Sequence, residues 1–134
     1  MKKIILFILI SLISTSSVAQ SSVKISTMDF IQIQNGYKDE ALFFYKNNWK
    51  RLRHKAVEIG YIDSFLLLEA EASEEAPFHL VLITTYLDKK QYQQREKNFQ
   101  QLMQESKGPK LLNSIKPQMF RKKLFSKKEV NSFN

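Results

Sequence analysis

Apolar and polar positions change rhythm several times along this chain. From Thr27 to Gln34 they alternate: Met28, Phe30 and Gln32 share one face and Asp29, Ile31 and Ile33 the other, which is the period of a strand. Asn35-Gly36 then signals a turn. From Tyr37 to Ile59 the spacing becomes helical, with Leu42, Tyr45, Trp49, Leu52, Ala56 and Ile59 in steps of 3, 4, 3, 4 and 3, widened by Ala41 and Val57. Asp39 and Glu40 fall in the first turn, where the helix dipole favours negative charge, and Gly60 stands where a C′ glycine is expected. The opposite helix face carries Lys46, Lys50, Arg51, His54, Lys55 and Glu58.

Two apolar runs follow. Tyr61–Glu71 predicts a second strand centred on Phe65-Leu66-Leu67-Leu68, and Phe78–Leu87 a third, with a Ser/Glu/Pro loop over Ala72–Pro77 between them. Asp88 is a natural N-cap for a second helix from Lys89 to Ser106, which Gly108-Pro109 would end. Gln118–Phe125 is assigned to a fourth strand, although its spacing fits a helix almost as well, and Ser126–Asn134 to a polar tail. The order β, α, β, β, α, β predicts an α+β, ferredoxin-like fold: one four-stranded antiparallel sheet with both helices on one face, over residues 27–125.

A sheet covered on one side only should alternate apolar and polar. The third strand does not, since Leu80, Leu82 and Tyr86 lie on one face and Val81 and Ile83 on the other. The second repeats this, with Leu66 and Leu68 opposite Phe65 and Leu67. Exposing about four such side chains forgoes ~1.5–3 kcal/mol each. Two sheets packed face to face across a twofold axis would recover it, so a homodimer through the sheet face is expected.

The strand Thr27–Gln34 leading through Gly36 into the Trp49 helix, and that helix ending at Gly60 before Tyr61–Glu71, resemble the dimeric α+β barrel superfamily. The chain is also similar to small exported proteins of unknown function in Bacteroidetes-type bacteria. The resemblance implies a barrel made by two ferredoxin-like chains. It also implies a range of activities, among them quinone-forming monooxygenases, haem-degrading enzymes, chlorite dismutases, muconolactone isomerases and members without one. Fold does not choose among these. Haem-degrading members use an Asn, a Trp and an axial His from separate elements. Here Asn48 and Trp49 are adjacent and neither His matches, so those roles are not carried over.

Composition adds an address. Lys2 and Lys3, the apolar run Ile4–Ile13 and the small residues Ser17 and Ala19 form a signal peptide over 1–19, cleaved before Gln20. The run is too short for a membrane span, which needs ~20 residues. The exported chain, periplasmic or secreted, would have 115 residues and a charge of +6 instead of +8, with Gln20–Ser26 as a flexible leader. It has no cysteine, so packing or pairing has to replace the disulfides common in exported proteins.

Charge is uneven. Six acidic residues and no basic one lie between Glu58 and Glu75, and eight basic residues and no acidic one between Lys107 and Lys128. A basic block can meet nucleic acid or an anionic surface. Export argues against nucleic acid. Lys116–Lys128 with Phe120, Leu124 and Phe125 offers a secondary route to a membrane surface. The favoured reading is a solvated edge strand guarded by lysines.

Candidate chemistry is sparse. There is no phosphate loop, no H-E-x-x-H, no G-x-S-x-G and no paired-carboxylate motif, and no cofactor or metal is expected. His54 falls on the solvated helix face. His79 opens the third strand and is the better candidate for proton transfer, because an ordinary imidazole titrates at ~6.5. Tyr45 and Trp49, one turn apart, could line a pocket between helix and sheet with His79 and Tyr86, suited to a small apolar or aromatic ligand. Two readings follow. One is a non-enzymatic exported homodimer that binds a small ligand or an envelope partner, favoured by the lack of a polar catalytic cluster. The other is a cofactor-independent monooxygenase acting on a small aromatic substrate.

Overall fold

A computed structural model describes residues 23–133. The signal peptide over 1–19, its cleavage point and the first residues of the leader lie outside the described residues. Four strands form one sheet: β1 (Ile25–Ile33), β2 (Ser64–Glu69), β3 (Leu80–Tyr86) and β4 (Arg121–Asn131). Their order is β2-β3-β1-β4 and every neighbouring pair is antiparallel. With helices between β1 and β2 and between β3 and β4, this is the ferredoxin-like α+β fold that the periodicity predicts.

Residues 38–58 form one continuous helix in three parts: α1 (Lys38–Phe44), a π-helical turn (Tyr45–Trp49) and α2 (Lys50–Glu58). It ends in a Schellman motif. Tyr61 N–H reaches the Ala56 carbonyl at 2.8 Å, Gly60 N–H reaches Val57 at 3.1 Å, and Gly60 takes φ +76°. That left-handed conformation is why a glycine belongs there. The second helical segment starts as expected, with Asp88 accepting from Gln91 N–H at 2.7 Å. It is then interrupted: α3 (Lys89–Gln93) and α4 (Arg95–Glu105) meet at Gln94, whose ψ is near zero. At the break the Arg95 guanidinium donates to the Tyr92 carbonyl at 3.0 Å and lies over the Tyr92 ring.

Two boundaries move. β1 begins at Ile25, inside the stretch assigned to the leader. The fourth strand is the larger correction. Residues 117–120 form a short helix, α5 (Pro117–Phe120), with proline in its first turn and Phe120 fully buried. β4 then continues to Asn131, through most of the predicted polar tail. Its pairing with β1 absorbs irregularities between Ser26 and Met28 and between Phe30 and Ile31, and Glu129 sits at φ 55°. An interrupted register of this kind leaves no clean alternation in the sequence.

The core lies between helices and sheet and falls into two clusters. One gathers Ala56, Ile62, Tyr86, Tyr92 and Leu102, and the other Ile31, Tyr45, Leu80 and Leu82. Between them on β3 stands Thr84, 2% exposed, and between them on the helix stands Arg53. No helix among the described residues is long and apolar enough to cross a membrane.

Candidate functional site

The division between the two clusters is a polar seam. Strand parity places Thr27 and Asp29 of β1 on the helix side, opposite Thr84 and Leu82 of β3. β4 sets Ser126 beside Asp29 and Arg121 beside Ile33. The helix supplies Tyr45, Trp49 and Arg53 at intervals of four, and the π-helical turn spans the first two. Such turns insert one residue into a helix and often lie at functional positions.

Arg53 occupies the centre. Its Nε donates to Thr84 Oγ1 at 3.1 Å, while its guanidinium carbon lies 3.9 Å from the Phe99 ring centroid and 4.9 Å from that of Trp49. Two aromatic faces therefore hold a flat cation, an arrangement guanidinium favours over ammonium. Burial pulls its pKa down to about 10, with Tyr86 and Asp29 acting in the opposite direction. Asp29 accepts from the Ser126 hydroxyl and faces Lys123 Nζ at 3.9 Å.

The four residues expected to line one pocket are not gathered into one. Tyr45, 1% exposed, accepts from Arg121 Nη1 at 3.2 Å; burial pushes its phenol up and Arg121 works against that. Trp49 stands edge-on to Phe65 and shares the Tyr45 cluster. Tyr86 belongs to the other cluster, edge-on to Tyr92, and its phenol is raised by burial and lowered by Arg53. His79 lies apart, just before β3, in an open cleft of about 640 Å³ bordered by Ile33, Lys38, Glu69 and Glu71. Its backbone pairs with Ile31 and Ala70, and its Nδ1 accepts from Ile33 N–H at 3.0 Å. With that lone pair engaged, the ring offers the cleft an Nε2–H donor. Lys38 and Glu69 form an ion pair across the same cleft. His54 is exposed and stands edge-on to Phe65. No group of three His, Asp or Glu among the described residues is placed to hold a metal ion.

Sequence reasoning missed Arg53, Asp29, Thr84 and Ser126. Two signals were available: an arginine one turn beyond Trp49 on the core stripe, and an aspartate on the parity of Ile31 and Ile33.

The other face of the sheet carries no helix. Leu66 is 54% exposed, Leu68 43% and Phe125 45%. Phe30 stacks on Phe125 with centroids 4.4 Å apart and meets Phe78 edge-on at 4.9 Å. The register places Met28, Phe30, Val81, Ile83, Leu66 and Leu68 on this face together.

No protein-family model matches the chain, and no curated protein does. Among solved structures, a protein of Bacteroides thetaiotaomicron VPI-5482, provisionally described as an antibiotic biosynthesis monooxygenase, is similar at 16% identity. The match covers 70% of this chain and 90% of that one, with a TM-score of 0.33. The strand order and the helix positions establish the ferredoxin-like fold without it.

Proposed function

We propose that this chain is an exported homodimeric binding module, with two sheets packed open face to open face. One observation carries the reading: the helix-free face exposes Leu66, Leu68 and Phe125, with Phe30 stacked on Phe125. Monomers rarely expose such a patch, and an isologous contact buries the same residues of both copies at once. Lys2, Lys3 and the apolar run Ile4–Ile13 support a place in the cell envelope. The ligand side is the helix-covered seam, where polar groups converge between two apolar clusters. Light scattering after gel filtration tests the dimer. Twice the chain mass is expected for the mature protein, and Leu66→Glu with Leu68→Glu should give the single-chain mass with the helical signal intact. A wild-type protein at single-chain mass would overturn the reading.

The monooxygenase alternative has one observation on its side. Asp29 places a partly exposed carboxylate in the seam, near enough to act on Arg53 and Tyr45. Oxygen uptake with a phenolic substrate, lost in Asp29→Asn, would favour it over the binding module.

A further inference from the structure

The Arg53 guanidinium is anchored on one edge only. Its Nε is bonded to Thr84, and among the described residues neither terminal amino group has a protein acceptor. Asp29 influences it electrostatically without forming an ion pair. Those amino groups are also not sealed away, because no enclosed side-chain nitrogen or oxygen in the described residues lacks a partner. A guanidinium packed between aromatic rings commonly gives its terminal amino groups to a carboxylate or to carbonyls as well. Here the fork is fixed in plane by Trp49 and Phe99, fixed at its back by a buried threonine, and left open at its end.

We infer that Arg53 is the receptor for a small organic carboxylate bound in the seam between helix and sheet. The open end of a guanidinium matches the two oxygens of a carboxylate in one plane. The ligand is a monoanion. Its single charge matches the single cation that the fork presents. The surroundings suit an apolar body: Trp49 and Phe99 flank the fork and the Tyr86 phenol is beside it. Phe99 also borders an open surface depression of about 560 Å³ with Met103 and Gln100, which brings solvent to the ring that covers Arg53.

This inference rests on reading the chain as a ligand-binding module, and its test is separate from that of the dimer. Trp49 is the single tryptophan and touches Arg53, so its fluorescence reports on the fork directly. The mature protein is titrated with benzoate, with the neutral isostere benzamide and with inorganic phosphate, while light scattering follows the mass. Benzoate should produce a saturable change that benzamide and phosphate do not, at unchanged mass. Arg53→Lys keeps the charge but loses the fork and should weaken benzoate at least tenfold. Thr84→Val keeps the guanidinium but frees its anchor and should weaken binding less, which preserves the test if Arg53→Lys folds poorly. Absence of a saturable benzoate response, equal responses to benzoate and benzamide, or phosphate binding as tight as benzoate would each overturn the proposal. A dimer that fails to bind benzoate leaves the pairing of sheets standing and removes the carboxylate site alone.

Discussion

The two faces of the sheet differ in kind: the helix-covered face buries two apolar clusters around a polar row, and the helix-free face leaves large apolar side chains in solvent. The helix-covered face holds a polar row, Thr27, Asp29, Thr84 and Ser126, and draws in Arg53. The helix-free face holds Phe30, Phe125, Leu66 and Leu68. Buried polar groups cost free energy unless they are bonded, and exposed apolar surface forgoes about 25 cal/mol per Å². Under the proposed reading the two departures are put to use, the seam for polar recognition and the open face for another apolar surface.

The largest effect should separate the faces by what each change does to assembly. Leu80 is fully enclosed on the covered face, so Leu80→Ala should cost ~2–5 kcal/mol, read as a lower midpoint in urea that does not vary with protein concentration. Phe30→Ala on the open face should show its loss as a concentration-dependent midpoint and an earlier dissociation. Equal concentration dependence in both variants would erase the proposed difference between the faces.

Next in size is Thr84→Val, which keeps shape but removes the acceptor for Arg53 Nε. Leaving such a donor unmet costs ~1–3 kcal/mol, so denaturant melts should shift accordingly. A shift no larger than that of Thr85→Val, on the open face where Thr85 meets Ser26, would mean that the seam contributes nothing special.

The covered apolar face was legible and the seam was not, for a physical reason. Leu80, Leu82, Tyr45 and Ala56 announce themselves by periodicity, because burial of apolar groups obeys the period of the element. Arg53 and Asp29 occupy core positions but are polar, so pattern counting passes over them. The helix face drawn as solvated omitted Arg53, and the core stripe omitted it as well. The π-helical turn is invisible for another reason: its extra residue leaves Tyr45 and Trp49 four apart, as an ordinary helix would. Lysines hid the second half of β4, from Ser126 on, since an edge strand with one solvated side reads as tail when bulges break its alternation.

Alkaline titration reads the covered face through its buried phenols. Burial raises the phenols of Tyr45 and Tyr86 above the usual 10.0, so between the two values the folded state holds protons the unfolded state has released. Their contribution is fully present below about 10 and is lost as pH rises through the raised values. Arg53 works the other way: burial brings its pKa down to about 10, below the ordinary guanidinium value, so stability tied to it rises as pH climbs between the two. Absorbance of tyrosinate should therefore show a late stage, in which Tyr45 and Tyr86 ionise as the fold opens. A single smooth step would mean the seam is open to water.

The smallest effect is expected at the His79 cleft, outside both faces. Lys38 holds the Glu69 carboxyl below its usual range, and Glu69 in turn raises Lys38, but both side chains stand in solvent. The sign for Glu69 is that its contribution is present above the unfolded carboxylate value and is lost as pH falls through the lowered one. For Lys38 the contribution is present below the unfolded ammonium value and is lost as pH rises through the raised one. Water and salt screen such a pair, so its weight in the fold is slight. Glu69→Gln should leave the denaturation midpoint, the mass and the Trp49 benzoate response where they were at neutral pH. A large loss of benzoate binding in that variant would relocate the ligand from the seam to the cleft and make His79 Nε2–H, with Lys38, its recognition pair.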